Sequence, residues 1–296
     1  MPNNARQANL CKGSSDARGS VVNLGLIMSA WFNTDLDGRP GMERAREMGF
    51  DSIDLFWDPV EHDDAAYARV LQDVAEVGLP TPSVVCPAFG LNDFNPSVRR
   101  FHVDRACRHV DLIADAGGRN VLFVPGEYLF QHELLPADHE WGLAVEATRA
   151  VGEHARARGV ELAIEMLPFE FALVRDVDSM VRFLDAVDLA NVQACIDCSH
   201  LWLVRDEPSS LERLRGRINH VHISDCDGEH HGDLPPGRGN TPLLAILEQL
   251  RDLGYDGTVA IELEFSPDPA GMVAWVDEAY TATAELMRRA GVREGR

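Results

Sequence analysis

No stretch of this sequence is strongly basic, and its formal net charge is −21. Neutralising a phosphate backbone takes clustered Lys and Arg, so nucleic acid is not expected as a partner. Adhesion to an anionic membrane surface fails on the same sign. No apolar run approaches the roughly 20 residues of a membrane span. The first twenty residues are polar, with Asn3, Asn4, Lys12, Ser14, Ser15 and Asp16, and lack the apolar region of a secretory leader. A cytoplasmic protein is therefore expected, with a loose tail over residues 1–20. Six cysteines, Cys11, Cys86, Cys107, Cys195, Cys198 and Cys226, are spaced too irregularly for a disulfide framework. Cys195 and Cys198 form a CxxC pair. It falls at the end of a β-rich run and not at a helix N-terminus, where a redox pair would be activated, so structural thiols are expected.

What is present is an alternation. Short apolar runs are expected as strands at Val21–Met28, Ser52–Phe56, Pro82–Cys86, Val121–Val124, Glu161–Met166, Val192–Asp197, Ile218–Ser224 and Thr258–Leu263. Amphipathic stretches follow each one, among them Ala65–Val77, Val98–Ala116, Trp141–Arg158 and Met272–Ala290, with a shorter one near Leu211–Leu214. Strands that read as near-continuous apolar runs imply a parallel sheet covered by helices. Eight such units in roughly 270 residues favour a closed (β/α)8 barrel over an open sheet. No G-x-G-x-x-G follows the first strand, so the dinucleotide-binding alternative loses its main support. A single barrel domain over residues 21–291 is expected, with a short tail over 292–296.

Side chains alternate along a strand, and in a barrel one face points at the axis. In the fifth run Leu162 and Ile164 share the outer face, so Glu165 points inward at the end of the strand. The same parity turns Asp197 inward on the sixth run, His220 and His222 on the seventh, and Glu262 and Glu264 on the eighth. Catalytic groups of this fold sit at the C-terminal rim. Three carboxylates this close in a partly dry pocket require a counter-charge. A divalent cation held by Glu165, Asp197, His222 and Glu262 supplies it. The hard, mostly oxygen set suits Mn2+ first, with Mg2+, Co2+ and Zn2+ as alternatives.

At these residues the chain resembles the xylose isomerase-like TIM barrels, in particular the sugar phosphate isomerase/epimerase branch that includes D-tagatose 3-epimerases, hydroxypyruvate isomerases and inosose dehydratases. The resemblance rests on Ala163-Ile-Glu165-Met, Ile196-Asp197-Cys-Ser-His200, His220-Val-His222-Ile-Ser-Asp225 and Gly254-Tyr-Asp-Gly257-Thr-Val-Ala-Ile-Glu262. It implies that the four acidic and imidazole groups bind the metal and that His200 contacts substrate. Glu170 stands near the position of another substrate-contacting glutamate, one residue closer to Glu165 than in the ketose epimerases. One departure stands out: those epimerases carry an arginine six residues after the metal histidine, where this chain has Gly228. The surrounding segment, Asp225 to Gly239, ends in Pro-Pro-Gly-Arg-Gly and offers Arg238 and backbone N–H groups at the rim.

The chemistry such a site suits is proton transfer beside a carbonyl through a metal-stabilised enediolate. Glu165 and Glu262 are the expected base and acid, and His200 polarises a hydroxyl or serves as a second base. Trp31, Phe32, Trp57 and Glu127 lie at strand ends, and Trp31 and Trp57 are candidate platforms for the apolar face of a sugar. The expected substrate is a neutral sugar or polyol, and a homo-oligomer is expected from the resemblance. An enolate can instead expel a β-substituent, which gives the alternative of a lyase acting on a keto-inositol or a 3-oxo-C-glycoside, the latter with a small second subunit. A non-catalytic sugar-binding barrel is a remoter alternative. An endonuclease IV-like nuclease would need further histidines at early strand ends, and neither His62 nor His102 falls at one.

Overall fold

Eight short parallel strands form the centre of the computed structural model, which describes residues 22–129, 134–264 and 269–294. They are β1 (Asn23–Ile27), β2 (Ser52–Asp54), β3 (Ser83–Cys86), β4 (Asn120–Phe123), β5 (Glu161–Glu165), β6 (Val192–Asp197), β7 (Ile218–Ile223) and β8 (Thr258–Ile261). Their order, β2-β1-β8-β7-β6-β5-β4-β3, brings β8 back to β1. The seam between β2 and β3 is held by a bridge from Leu55 to Val84, with backbone hydrogen bonds of 2.9 Å from Leu55 N–H to the Ser83 carbonyl and from Val85 N–H to the Leu55 carbonyl. The ring of strands is thus a barrel.

Parallel neighbours require crossovers, and helices provide them: α1 (Arg39–Met48), α2 (Asp64–Val77), α3 (Pro96–Asp115), α4 (Ala137–Arg158), α5 (Val177–Val187), α6 (Cys198–Leu203), α7 (Leu243–Asp252) and α8 (Met272–Arg289). Their ends follow local chemistry. The Asp63 carboxylate accepts from Ala66 N–H to cap α2, and Asp176 forms a capping box with Ser179 at α5. Gly159, at φ 71°, ends α4 in the left-handed conformation and turns the chain into β5.

The sixth unit differs from expectation. The segment near Leu211–Leu214 belongs to a 3-10 turn, Pro208–Leu214, and the true helix α6 begins immediately after β6. The CxxC pair is therefore corrected: Cys198 is the first residue of a helix. Activation does not follow, because burial pushes both the Cys195 and Cys198 thiols well above the ordinary thiol range and the Asp197 carboxylate reinforces it at Cys198. The five described cysteines are all free. The expected N-terminal tail lies outside the described residues. Val292 and Arg293, expected beyond the barrel, are attached to it: Val22 N–H donates to the Val292 carbonyl at 2.9 Å and Arg293 pairs with Asp51.

Parity along the strands is as the sequence implies. Leu162, Ile164, Ala194, Ile196, Val221, Ile223, Val259 and Ile261 join the helices in the large outer core. Inside the barrel Leu122, Ala163 and Cys195 form a small apolar cluster with Val85 packed against it. Burying an aliphatic side chain is worth about 1.5–3 kcal/mol, and a one-residue slip would turn a strand's whole apolar set to the wrong face. Those aliphatics therefore fix the acids of β5 to β8 on the axis.

Candidate active site

Glu165 and Asp197 are the last residues of β5 and β6, His222 lies one residue from the end of β7, and Glu262 follows β8 directly. Strand register brings Asp197 opposite His222, and His222 opposite Ala260. The ligand-capable atoms of all four side chains lie within 4.8 Å of one another. His222 Nδ1 is 3.1 Å from Glu165 Oε1 and 2.9 Å from Glu262 Oε2. Glu165, Asp197 and His222 are buried, and Glu262 is partly open, with 15% side-chain exposure.

Asp197 performs two tasks with its two oxygens. Oδ1 caps α6, accepting from His200 N–H and from the Ser199 hydroxyl, both at 2.7 Å. Oδ2 is buried with no hydrogen-bond partner, and a buried carboxylate oxygen is rarely left so. Burial raises the Asp197 carboxyl, but the neighbouring imidazoles and these donors outweigh it and hold the group below the usual range. Glu262 goes the other way. Burial, reinforced by the Glu165 carboxylate, pushes it well above the carboxylate range despite His222 nearby. His222 is itself drawn well above the usual imidazole value against the effect of burial, with Glu262 and Glu165 among the causes. The ion pairs of these carboxylates within the described residues are all with imidazoles. Three acids, an unpartnered Asp197 oxygen and a Glu262 carboxyl raised well above its usual range describe a site short of positive charge, which is the fit expected of a divalent cation.

His200 lies beside this group on α6, with Nδ1 donating to the Met166 carbonyl at 2.9 Å. Its Nε2 meets His231 Nε2 at 2.9 Å. Burial lowers His200, but Asp197 and Glu165 more than reverse this, whereas burial and the charge on His200 both lower His231. These opposite shifts make His200 the favoured donor across this contact. His231 also stands 3.5 Å from Asp233, a buried acid pushed up to about 7, first by burial and then by Asp197. Neither His231 nor Asp233 was given a role from sequence; the signal was the run Glu229-His-His231-Gly-Asp233 in the segment after β7.

The other sequence candidates fall in different places. Glu170 is exposed on the turn after β5, outside the four-residue group; its sequence neighbours Phe169 and Phe171 stack on one another. Trp31 is fully buried, packed so closely on Gly41 that a Cβ there would come within 2.3 Å of its ring. It presents no face to a ligand. Trp57 is half-buried and stacked on His62 with ring centroids 4.5 Å apart. Arg238 is engaged at the surface, in a two-pronged ion pair with Glu278 at 2.8 and 2.7 Å, and over the Trp275 ring at 4.9 Å. The expected open N–H groups of its loop are also taken. Buried Asp225 accepts from Gly237 and Gly239 N–H through Oδ2, and from Cys226 and Thr241 N–H through Oδ1. Gly228 has φ +80°, and a Cβ there would lie 2.9 Å from Trp202 Nε1 and 3.0 Å from Asn240 Oδ1. A side chain at that position would strain the backbone and require Trp202 or Asn240 to shift.

Among the described residues no helix is long and apolar enough to cross a membrane. Comparison with known proteins agrees with the geometry. The family described as xylose isomerase-like TIM barrel matches residues 42–289. The chain is 26% identical over 231 residues to a D-psicose 3-epimerase of Ruminiclostridium cellulolyticum, covering 75% of this chain and 76% of that protein. It is 27% identical over 230 residues to an L-ribulose 3-epimerase of Mesorhizobium japonicum, covering 75% and 73%. A solved structure of L-ribulose 3-epimerase superposes with a TM-score of 0.76 at 23% identity, covering 92% of this chain and 96% of that one, a likeness of fold. The chain belongs to the xylose isomerase-like TIM barrel family, and it is an enzyme.

Proposed function

We propose that this enzyme is a divalent-metal-dependent sugar isomerase or epimerase that moves a proton on a carbon next to a carbonyl. The observation that carries the reading is the charge-deficient group of Glu165, Asp197, His222 and Glu262 at the rim of the barrel. The two curated relatives act, by name, on ketoses at C3, which supports a sugar as substrate. Glu165, Asp197, His222 and Glu262 would hold the cation, with Mn2+ favoured by the hard oxygen-rich set and Mg2+, Co2+ or Zn2+ as alternatives. When bound, it supplies positive charge for the negative charge that develops on substrate oxygen.

Glu165 and Glu262 approach the group from β5 and from the end of β8, three strands away around the ring, so one removes the proton and the other returns it. Return at the same carbon gives epimerisation, and return at its neighbour gives aldose–ketose isomerisation. His200 stands beside the acids with its Nδ1 on the Met166 carbonyl and its Nε2 on His231, so a substrate hydroxyl that took the place of His231 would be polarised by Nε2. A homo-oligomer in the cytoplasm is part of the same reading.

One observation favours a second reading. The arginine of the ketose 3-epimerases is replaced by Gly228, at a left-handed φ of +80° where a Cβ would press on Trp202 and Asn240. A lyase that expels water or an aglycone from the same kind of enolate needs no such arginine, and a partner subunit would accompany cleavage of a C-glycoside. Incubation of keto-sugars, inososes and 3-oxo-glycosides in D2O with Mn2+-loaded and metal-stripped protein, analysed by mass spectrometry and NMR after quenching, separates the readings. Metal-dependent entry of deuterium at a C–H position with mass otherwise conserved is expected. Loss of water or an aglycone would move the protein to the lyases, and cation binding without exchange in any substrate would make it a binding protein.

A further inference from the structure

One layer below the four-residue centre, the barrel interior carries a polar pair that no step of the proposed reaction uses. His220 precedes His222 by two residues on β7, so both side chains point at the axis. Register sets His220 opposite Cys195, whereas His222 stands opposite Asp197 at the rim. Asp54, the last residue of β2, meets His220 across the barrel, with 2.8 Å between Oδ2 and Nε2. The two strands are three apart around the ring. Asp54, His220 and His222 have 0%, 1% and 1% of their surface exposed.

A buried acid–imidazole pair is a weak device for stability, because apolar side chains of similar volume often serve as well or better. Elsewhere the barrel interior is filled that way, by Leu122, Ala163 and Cys195. What the pair adds is hydrogen bonding, and not all of it is spent. Asp54 Oδ1, His220 Nδ1 and His222 Nε2 are each buried without a hydrogen-bond partner among the described residues. The ligand-capable atoms of these three side chains lie within 4.8 Å of one another, and the two rings meet edge to face with centroids 5.3 Å apart. Buried polar atoms are rarely left unpaired, and these are complementary: the carboxylate oxygen and an imidazole nitrogen accept, and an imidazole N–H donates.

The cation site requires that donor. His222 Nδ1 is the ring nitrogen that faces the acids, 3.1 Å from Glu165 Oε1 and 2.9 Å from Glu262 Oε2. An imidazole ligates a cation through an unprotonated nitrogen, so a ligating Nδ1 leaves the ring hydrogen of His222 on Nε2. Ligating histidines ordinarily donate that second N–H to a fixed acceptor, which sets the tautomer and the ring's orientation. Here the acceptor is supplied by the Asp54–His220 pair, through Asp54 Oδ1 or through His220 Nδ1, whose own Nε2–H is held by Asp54 Oδ2.

Resting on the reading of Glu165, Asp197, His222 and Glu262 as a cation site, we propose that Asp54 and His220 are positioning residues for it. They hold the hydrogen of His222 on Nε2 and so turn the Nδ1 lone pair toward the cation. Neither touches cation or substrate; both act through His222. The test is calorimetric titration of the metal-stripped full chain with Mn2+, joined to NMR of 15N-histidine-labelled protein loaded with diamagnetic Zn2+. Wild type should bind a single cation per chain, with His222 ligating through Nδ1 and its Nε2–H resonance shifted downfield by a hydrogen bond. Asp54→Asn should bind Mn2+ about ten-fold more weakly, and Asp54→Leu/His220→Leu about ten- to a hundred-fold more weakly. The double variant removes both partners together, so its metal-free thermal midpoint should stay near that of wild type, which separates positioning from folding. Its Nε2–H resonance should return upfield. Wild-type affinity in either variant, or ligation of Zn2+ through Nε2 in wild type, would overturn the positioning role and leave the cation site standing. Two cations per chain, one of them lost in Asp54→Asn, would also overturn it, because the three side chains would then be a cation site themselves. Failure of wild type to bind any cation would remove the cation reading and this inference with it.

Discussion

Replacing Glu262 with Gln should strengthen the metal-free protein while removing its response to metal. Three carboxylates and one imidazole have ligand atoms within 4.8 Å of one another. Like charges at that separation repel by about 3.5 kcal/mol at an effective dielectric of about 20. With His222 charged, deprotonating Glu262 adds two such repulsions and one attraction, a net penalty of about one pair. The alternative is to keep the proton, which burial and Glu165 favour by raising the carboxyl well above its ordinary range. A carboxyl raised on folding retains a proton that the unfolded chain releases. Stability is therefore full below pH 4.5 and declines as pH rises toward the folded value. The scale of that decline is set by the net penalty of about one pair that ionisation carries, about 3.5 kcal/mol at most. Gln suffers neither penalty. A gain of about 3 kcal/mol corresponds to a midpoint about 6 °C higher, taking the low end of the usual sensitivity for long chains. The assay is thermal unfolding of chelator-stripped wild type and Glu262→Gln from pH 5 to 8, repeated with Mn2+. Wild type should weaken with rising pH without metal and gain about 2.7 kcal/mol at a hundred-fold excess of Mn2+ over its Kd. The variant should start higher, vary less with pH and respond weakly to Mn2+. A metal-free variant less stable than wild type at pH 7 would show that Glu262 is a structural hydrogen-bond partner, and the charge argument would fall.

Two further outcomes are expected. Asp54 and His220 form a fully buried pair at 2.8 Å, so Asp54→Asn should lower stability by about 1–3 kcal/mol, and a double replacement of both by apolar residues should recover much of the loss in chemical denaturation; full additivity of the two single losses would contradict the pairing. Cys195 and Cys198 should not react with a thiol reagent in the native protein, so a Cys195→Ala/Cys198→Ala variant should label to the same extent as wild type, and fewer labelled thiols in the variant would mean that the pair is accessible after all.

The barrel and the four-residue centre were legible because both depend on repeated local patterns. Apolar runs alternating with amphipathic stretches set the eight units, and parity within β5 to β8 placed Glu165, Asp197, His222 and Glu262 on one axis. The misplaced features depend on single contacts that no period announces. Helix α6 starts where the Asp197 side chain caps it, in a six-residue segment too short to show an apolar repeat. Trp31 and Trp57 both follow strands, but the 3-10 turn Met28–Trp31 folds the first into the core against Gly41. His231 meets His200 across 31 residues, and Asp225 organises its loop by accepting four backbone hydrogen bonds. Pairings at that range are set by the fold and have no signature in the segment itself.

The position of the acids relative to the apolar cluster explains why the chain tolerates so unfavourable a group. Leu122, Ala163 and Cys195 fill the barrel beneath Glu165 and His222 and exclude water from below. Toward the mouth Glu262 keeps partial exposure, 15% of its side chain. Low polarisability on one side strengthens every electrostatic interaction of the group, and the opening on the other lets a cation and a substrate oxygen enter. The same burial that destabilises three acids in the metal-free barrel would thus hold a cation tightly and place Glu262, with a raised proton affinity, beside the reacting carbon. Filling the site with neutral side chains would give a more stable barrel with no means of moving a proton, which is the trade expected where function has been placed on an otherwise well-packed scaffold.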